Sequence, residues 1–314
     1  MYVDEQKPAR RGILNLTLIG IIVVLCAFLI IETLFIIGTG NIIPDFSKKP
    51  ADKVAVIYVE GEMVTDRNPG PGYASSDTVM KELRDAQDDP RVKAIVLRVN
   101  SPGGSPVAAQ EIYGQILKTK QVKPVVVSMG DMATSAAYYI SAPCNKILAV
   151  PDTWTGSIGV IWTLRNRTAY YQQEGVEFYV AKSGGYKDIG ADWRGLNDEE
   201  KAYVNDLVNE TFQRFVDVVA DARHLPRDEV LELSDGRVYT GVRAEELGLI
   251  DGIGDLYDAI DAAAQLAGIA GTPEVVHFDG SALYYPLLVS GHASATPAAG
   301  YYQPYYSPYG QLHA

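Results

Sequence analysis

The chain has 314 residues, 47% of them hydrophobic, and a net charge of -12 at neutral pH. That length can bury a sizeable core in one large domain or two small ones. The acidic balance argues against nucleic acid as a partner, because nothing resembles a basic patch able to displace counterions from phosphates. Two cysteines far apart in sequence, Cys26 and Cys144, build neither a disulfide framework nor a zinc cluster, and the four histidines (His224, His277, His292, His313) leave everything before residue 224 without an imidazole.

Residues 12–31, GILNLTLIGIIVVLCAFLII, contain no charged side chain. Twenty helical residues rise about 30 Å, the thickness of a bilayer's hydrocarbon layer. A transmembrane helix is therefore expected over 12–38, after a short cytoplasmic N-terminus at 1–11. A cleavable signal peptide is the alternative, but its apolar region is about 7–15 residues long and ends at a small-residue site. Lys7, Arg10 and Arg11 before the span favour a cytoplasmic start, while Lys48, Lys49 and Lys53 after it dilute that bias. The expected location is the cell membrane, single-pass, with the bulk of the chain extracytoplasmic.

Residues 39–53 read as a linker, after which strand and helix signals alternate. Apolar β-rich runs at 54–61, 94–100, 125–129 and 146–150 are separated by helical stretches near 76–88 and 107–120. Repeated strand-helix-strand units require a parallel sheet with helices on both faces, an α/β domain over 54–270. A longer helix begins at Asn197, with Glu200 placed to complete a capping box. Val204, Leu207, Val208, Thr211, Phe215, Val219 and Ala222 follow along one face, as in a core or subunit contact. Residues 271–314, rich in tyrosine and proline without a period, are expected to form a tail disordered by itself.

Three segments bear on chemistry. In RVNSPGGSP (98–106) a strand runs into two glycines, Gly103 and Gly104, which let bare N–H groups approach an anion. In GDMATSAAYYIS (130–141) Ser135 stands among alanines early in a helix behind the run VVVSM. In VAKSGGYKDIG (180–190) Lys182 and Lys187 flank a glycine pair. Each alone reads as a turn, a capping serine or solvated lysines. Together they acquire another meaning, because a serine hydroxyl needs a base and no histidine lies near. A lysine amine substitutes when burial lowers its pKa towards about 7–8.

The ordered series NSPGG, SMGDMATSAAYYIS, TGSIGV, KSGGYKD and DGRVYTGVRAEELGLID resembles the signal peptide peptidase A family of membrane-anchored serine proteases, over roughly residues 54–265. The resemblance implies a Clp protease/crotonase-like fold of repeated βαβ units and a Ser/Lys dyad of nucleophile Ser135 and general base Lys187. It further implies an oxyanion hole from the Gly103/Gly104 region and the Ala136 amide, with Ser157 orienting the lysine. No cofactor or metal is needed. Expected partners are peptides such as signal-peptide remnants, the membrane, and further copies in a ring-shaped homo-oligomer. One departure stands out: Ala136 and Ala137 follow the serine where the family commonly has two glycines. A catalytically silent membrane-anchored scaffold and a crotonase-type acyl-CoA enzyme are the rival readings.

Overall fold

The computed structural model describes residues 19–32 and 51–278. The chain divides into two compact units, Met1–Pro50 and Ala51–Ala314. In the first, residues 19–32 form helix α1. Among the described residues no helix is long and apolar enough to cross a membrane. The remainder of the expected span, 12–18 and 33–38, lies outside them.

The second unit begins with β1 (Lys53–Glu60), β2 (Glu62–Val64), β3 (Tyr73–Ser75), α2 (Ser76–Asp88), β4 (Val92–Ser101), α3 (Pro106–Thr119), β5 (Val125–Thr134) and α4 (Ala136–Ser141). It continues with β6 (Lys146–Ala149), β7 (Trp154–Gly156), α5 (Thr168–Gln173), a 3-10 turn (Gly185–Asp188), α6 (Asp198–Arg223) and α7 (Arg227–Leu233). Last come β8 (Val238–Thr240), α8 (Gly241–Glu246), β9 (Gly252–Ile253), α9 (Leu256–Leu266) and β10 (Glu274–Phe278).

The strands lie in the order β10-β1-β4-β5-β6-β9, and every pair along that path is parallel. The continuous apolar runs are explained by the two faces they serve. In β1, Ala55, Ile57 and Val59 enter one core with residues of α2, α3, α4 and α6, while Val54 and Val56 enter a second core closed by α9. A strand covered on both sides has no polar face to show. Helix starts follow their caps: Ser105 precedes Pro106 at the first turn of α3, and the predicted capping box of α6 is present, with Asn197 and Glu200 bonding reciprocally.

Three features depart from the sequence reading. β5 does not stop at Met129 but runs to Thr134, pairing with β6 through Val126–Ser128 and then with β7 through Met132–Thr134. Its register against β4 moves from Val99 opposite Met129 to Ser101 opposite Ala133, so β5 carries the extra residues of a bulge. Gly130 sits in that bulge because an added Cβ there would lie 2.9 Å from the Asn100 Cβ, and Asn100 Oδ1 accepts the Met132 N–H at 3.2 Å. The sheet is also mixed, since β8 runs antiparallel to β7. Finally, Glu274–Phe278, which the sequence reading placed in a C-terminal tail from residue 271, pairs with β1 as an edge strand. Residues 279–314, which include His292 and His313, lie outside the described residues.

From residue 159 to 199 every residue is exposed or half-buried as a whole. This arm is ordered by its own small aromatic cluster, in which Phe178 stacks on Trp193 with centroids 5.2 Å apart and Tyr171 meets Phe178 edge-on at 4.9 Å.

Candidate active site

The C-terminal ends of β4 and β5 deliver the glycine turn and the serine to one place, as parallel sheets commonly do for ligand sites. Ser135 is the residue between β5 and α4, with φ 55° and ψ -124°. A non-glycine residue in that region carries roughly 1–3 kcal/mol of strain and persists only where its surroundings impose it. Here its N–H donates to the Gly156 carbonyl at 2.8 Å, and its own carbonyl accepts the Tyr139 N–H at 2.9 Å. On either side, the hydroxyls of Thr134 and Thr155 donate to the carbonyls of Pro102 and Ala133 at 3.0 and 2.8 Å. The Ser135 side chain forms no capping bond to α4, so its hydroxyl is not spent on the helix.

The glycine turn is fastened to β2. Met63 donates its N–H to Gly103 O at 2.7 Å and accepts the Ser105 N–H at 2.8 Å. Gly103 has φ +104°, and a Cβ there would lie 2.8 Å from the Ser135 Cβ. Only glycine allows so close an approach. The two glycines differ in one respect that sequence reading left open. The Gly103 N–H is committed to Ser101 Oγ at 3.1 Å. Among the described residues, the N–H groups of Gly104 and Ala136 donate to no protein acceptor.

Ser135, Ala136, Gly104 and Ser157 line one cavity of about 500 Å³. Ser157, itself at φ 49°, is held by donating its N–H to the Arg237 carbonyl at 2.8 Å. Tyr139, Phe212, Phe215, Val160 and Ile161 supply apolar wall, with Tyr139 and Phe215 packed edge to face at 5.2 Å. Of these aromatic walls, Phe215 belongs to the α6 stripe read from the sequence as core or subunit contact, while Tyr139 of α4 and Phe212 of α6 were not singled out there. Ala136 and Ala137 cause no backbone difficulty, since neither has positive φ.

The cavity lining contains no lysine and no histidine. Asp235 is its one carboxylate, and hydrogen bonds from the Arg237 side chain hold that carboxyl below the usual range, where it is a poor base. His224 terminates α6 in the left-handed conformation, and His277 bonds Tyr58 at 2.9 Å. Cys144 is buried, and desolvation pushes its thiol up to about 12, which removes it as a nucleophile at neutral pH. Lys187 stands exposed on the 3-10 turn and is not among the lining residues of its own chain.

The turn bearing Lys187 is tied to the start of α6. Asp188 accepts Lys182 Nζ and Arg194 Nη2, each at 2.7 Å, and Arg194 reaches on to Glu200 at 2.6 Å. These cationic hydrogen bonds hold the Asp188 carboxyl well below the ordinary range and lower Glu200 to about 2. Both carboxyls titrate lower when folded than when unfolded. The stability they contribute is therefore full above about pH 5 and is lost as pH falls towards their folded values. In hydrogen exchange read by mass spectrometry, peptides spanning 182–200 are expected to lose protection between about pH 4 and 2 while β1 and β4 keep theirs. Unchanged protection of the arm at pH 2 contradicts this.

A mostly parallel α/β sheet that presses a strained serine against a glycine turn defines the class: a serine peptidase of the Clp protease fold, and the Clp protease family model matches residues 68–153. The chain belongs to peptidase family S49, whose model matches residues 118–270. A Methanocaldococcus jannaschii protein whose name proposes a protease is 35% identical over 232 residues, covering 72% of this chain and 74% of that one. Protease 4 of Salmonella typhi is 40% identical over 228 residues, 71% of this chain and 37% of its own. The chloroplastic serine protease SPPA of Arabidopsis thaliana is 33% identical over 222 residues, 69% of this chain and 33% of its own. The match thus spans about a third of the length of each of the latter two.

Proposed function

We propose that the protein is a membrane-anchored serine endopeptidase that cleaves apolar peptides in extended conformation, such as signal-peptide remnants, with Ser135 as nucleophile and Lys187 as general base. The observation that carries the reading is Ser135 held at φ 55° in a cleft of mixed polar and apolar lining that also includes Gly104 and Ala136, whose N–H groups have no protein acceptor. In the first step the neutral Lys187 amine takes the hydroxyl proton as Ser135 Oγ bonds to the peptide carbonyl carbon. The resulting oxyanion is held by the N–H groups of Gly104 and Ala136, each donor worth about 3–4 kcal/mol in related chemistry. Gly104 is favoured over Gly103 because the Gly103 N–H is already given to Ser101. The lysine ammonium then gives its proton to the leaving amine, and water, deprotonated by the same lysine, cleaves the acyl ester.

The base is assigned to a second copy of the chain. The cleft lacks a lysine of its own, and the arm that carries Lys187 has no fully buried residue within its own subunit while exposing Ile161 and Tyr179 at 89% and 96%. An assembled ring of copies both covers such an arm and supplies each cleft with a neighbour's amine. The uncharged run at 12–31 supports anchoring, with the catalytic domain outside the cytoplasm.

A serine-directed fluorophosphonate tests the reading. Mass spectrometry is expected to find the adduct on Ser135, with cleavage of an apolar fluorogenic peptide lost in parallel. Absence of any adduct in an assembled, folded sample supports the silent scaffold, and hydrolysis of acyl-CoA thioesters in place of peptides supports the crotonase-type enzyme.

A further inference from the structure

We propose that Arg194 is a positioning residue for the base: it fastens the Lys187 turn to α6 and keeps the Asp188 carboxylate occupied, so that Asp188 does not pair with the Lys187 amine. The proposal rests on the Ser135/Lys187 reading.

A lysine that accepts a serine proton must be neutral, and a carboxylate within a few ångströms favours its ammonium instead. Asp188 follows Lys187 directly in the chain and would be its natural counter-ion. Its side chain, 9% exposed, is turned to other partners. Oδ1 accepts Lys182 Nζ and Arg194 Nη2, both at 2.7 Å, and Oδ2 accepts Arg194 Nε at 3.0 Å. The remaining donors of the guanidinium face the other way, Nη1 to Glu200 Oε2 at 2.8 Å and Nη2 to Glu200 Oε1 at 2.6 Å. One planar fork therefore grips two carboxylates bidentately, a geometry lysine does not reproduce.

Glu200 is anchored in turn by the α6 capping box, where it accepts the Asn197 N–H at 3.0 Å. Lys182 closes the loop by donating to Gly185 O at 2.9 Å. The other ionisable groups packed on this turn come from α6: Glu199, which accepts the Tyr186 hydroxyl at 2.8 Å, and Tyr203, whose ring lies 5.2 Å from that of Tyr186. Each carboxylate facing the turn thus has a partner, and Lys187 forms no ion pair among the described residues. Of the two lysines in the motif, Lys182 is the one held as a structural ammonium.

The test is a pH profile of kcat/KM for the assembled enzyme with an apolar fluorogenic peptide. In Arg194→Ala the ascending limb is expected to move up by about 1 pH unit, because Asp188 Oδ2, which Arg194 Nε occupies, is released to turn to Lys187 while Oδ1 keeps Lys182. In the double variant Arg194→Ala/Asp188→Asn the limb is expected to return to the wild-type position even though the turn is still unfastened. A limb that does not move in Arg194→Ala, or that stays displaced in the double variant, overturns the proposal. Arg194→Gln carries the same comparison if Arg194→Ala does not fold. Lys187→Ala in the same assay separates the two levels: full activity there removes the dyad itself, whereas an inactive Lys187→Ala beside an unmoved Arg194→Ala limb removes only the role of Arg194. The pH dependence of Lys187 acetylation by acetic anhydride, followed by mass spectrometry, reads the same shift without turnover.

Discussion

Ser135→Ala and Lys187→Ala proteins are each expected to lose peptidase activity by at least about 10³-fold, the scale seen when a nucleophile or its base is deleted from a serine peptidase. When the two inactive proteins are dissociated, mixed in equal amounts and reassembled, activity is expected to return to about one quarter of wild type. A site with its serine from one copy and its lysine from another is intact only when both neighbours contribute the right residue, an even chance taken twice. The reason lies in the cleft, whose lining includes Ser135 and Ser157 but no lysine. Recovery of activity on mixing is a result that a base within the same chain does not produce. If both variants are inactive and the mixture stays inactive, the dyad survives and the assignment of the base to a neighbour does not. Near wild-type turnover by either variant removes that residue from the mechanism.

Gly103→Ala is expected to have a large effect for a single added methyl, because it acts directly on the serine. The position has φ +104°, and the new Cβ would lie 2.8 Å from the Ser135 Cβ, 2.9 Å from the Ala136 nitrogen and 3.0 Å from the Thr134 carbonyl oxygen. None of these is the free end of a flexible side chain, so the turn or the serine must shift. Strain and overpacking together are expected to destabilise the domain by roughly 2–5 kcal/mol. Activity is expected to fall by more than about 10²-fold, because a displacement near 1 Å at a reacting group has that cost. Gly114→Ala in α3 is the matched control: no atom lies within 4 Å of the added methyl. There the change is expected to stabilise by about 0.5–1 kcal/mol through helix propensity. Urea unfolding and peptide turnover measure both variants. Equal stability and equal activity in the pair contradict the close packing of turn and serine.

Much of the scaffold was legible because it rests on local signals. The doubly buried strands β1 and β4 are marked by the apolar stretches VAVIYV and AIVL, and α6 announces its start through Asn197 and Glu200. The strand continuation at Gly130–Thr134 was not legible, because GDMAT has neither period nor apolar run. It becomes strand only through the partner β7 and through the hydroxyls of Thr153 and Thr155, which donate to Gly130 O and Ala133 O, each at 2.8 Å. β10 was hidden for a related reason: an edge strand of five residues with half-exposed side chains resembles the start of a tail until β1 offers it a ladder.

At the site, residue types near Ser135, the glycine pair and the two lysines marked chemistry, yet their spacing did not rank the glycines or the lysines. Gly103 and Gly104 were equivalent until the Ser101 hydroxyl claimed one N–H. Lys182 and Lys187 were distinguished by resemblance alone until the Asp188 carboxylate paired with one of them. Arg194 carried no signal in the sequence, since a charge among loop residues is usually solvated.

The sequence by itself determined the α/β class and the family, and it offered Ser135 and Lys187 as the candidate nucleophile and base, because those follow from composition, periodicity and motif order. Only the tertiary structure decided which N–H groups are left without a protein acceptor, that Ser135 is strained, and that the subunit's own Lys187 is not among the residues lining the cleft. Those properties depend on backbone angles and on hydrogen bonds between segments far apart in the chain, which local pattern does not encode.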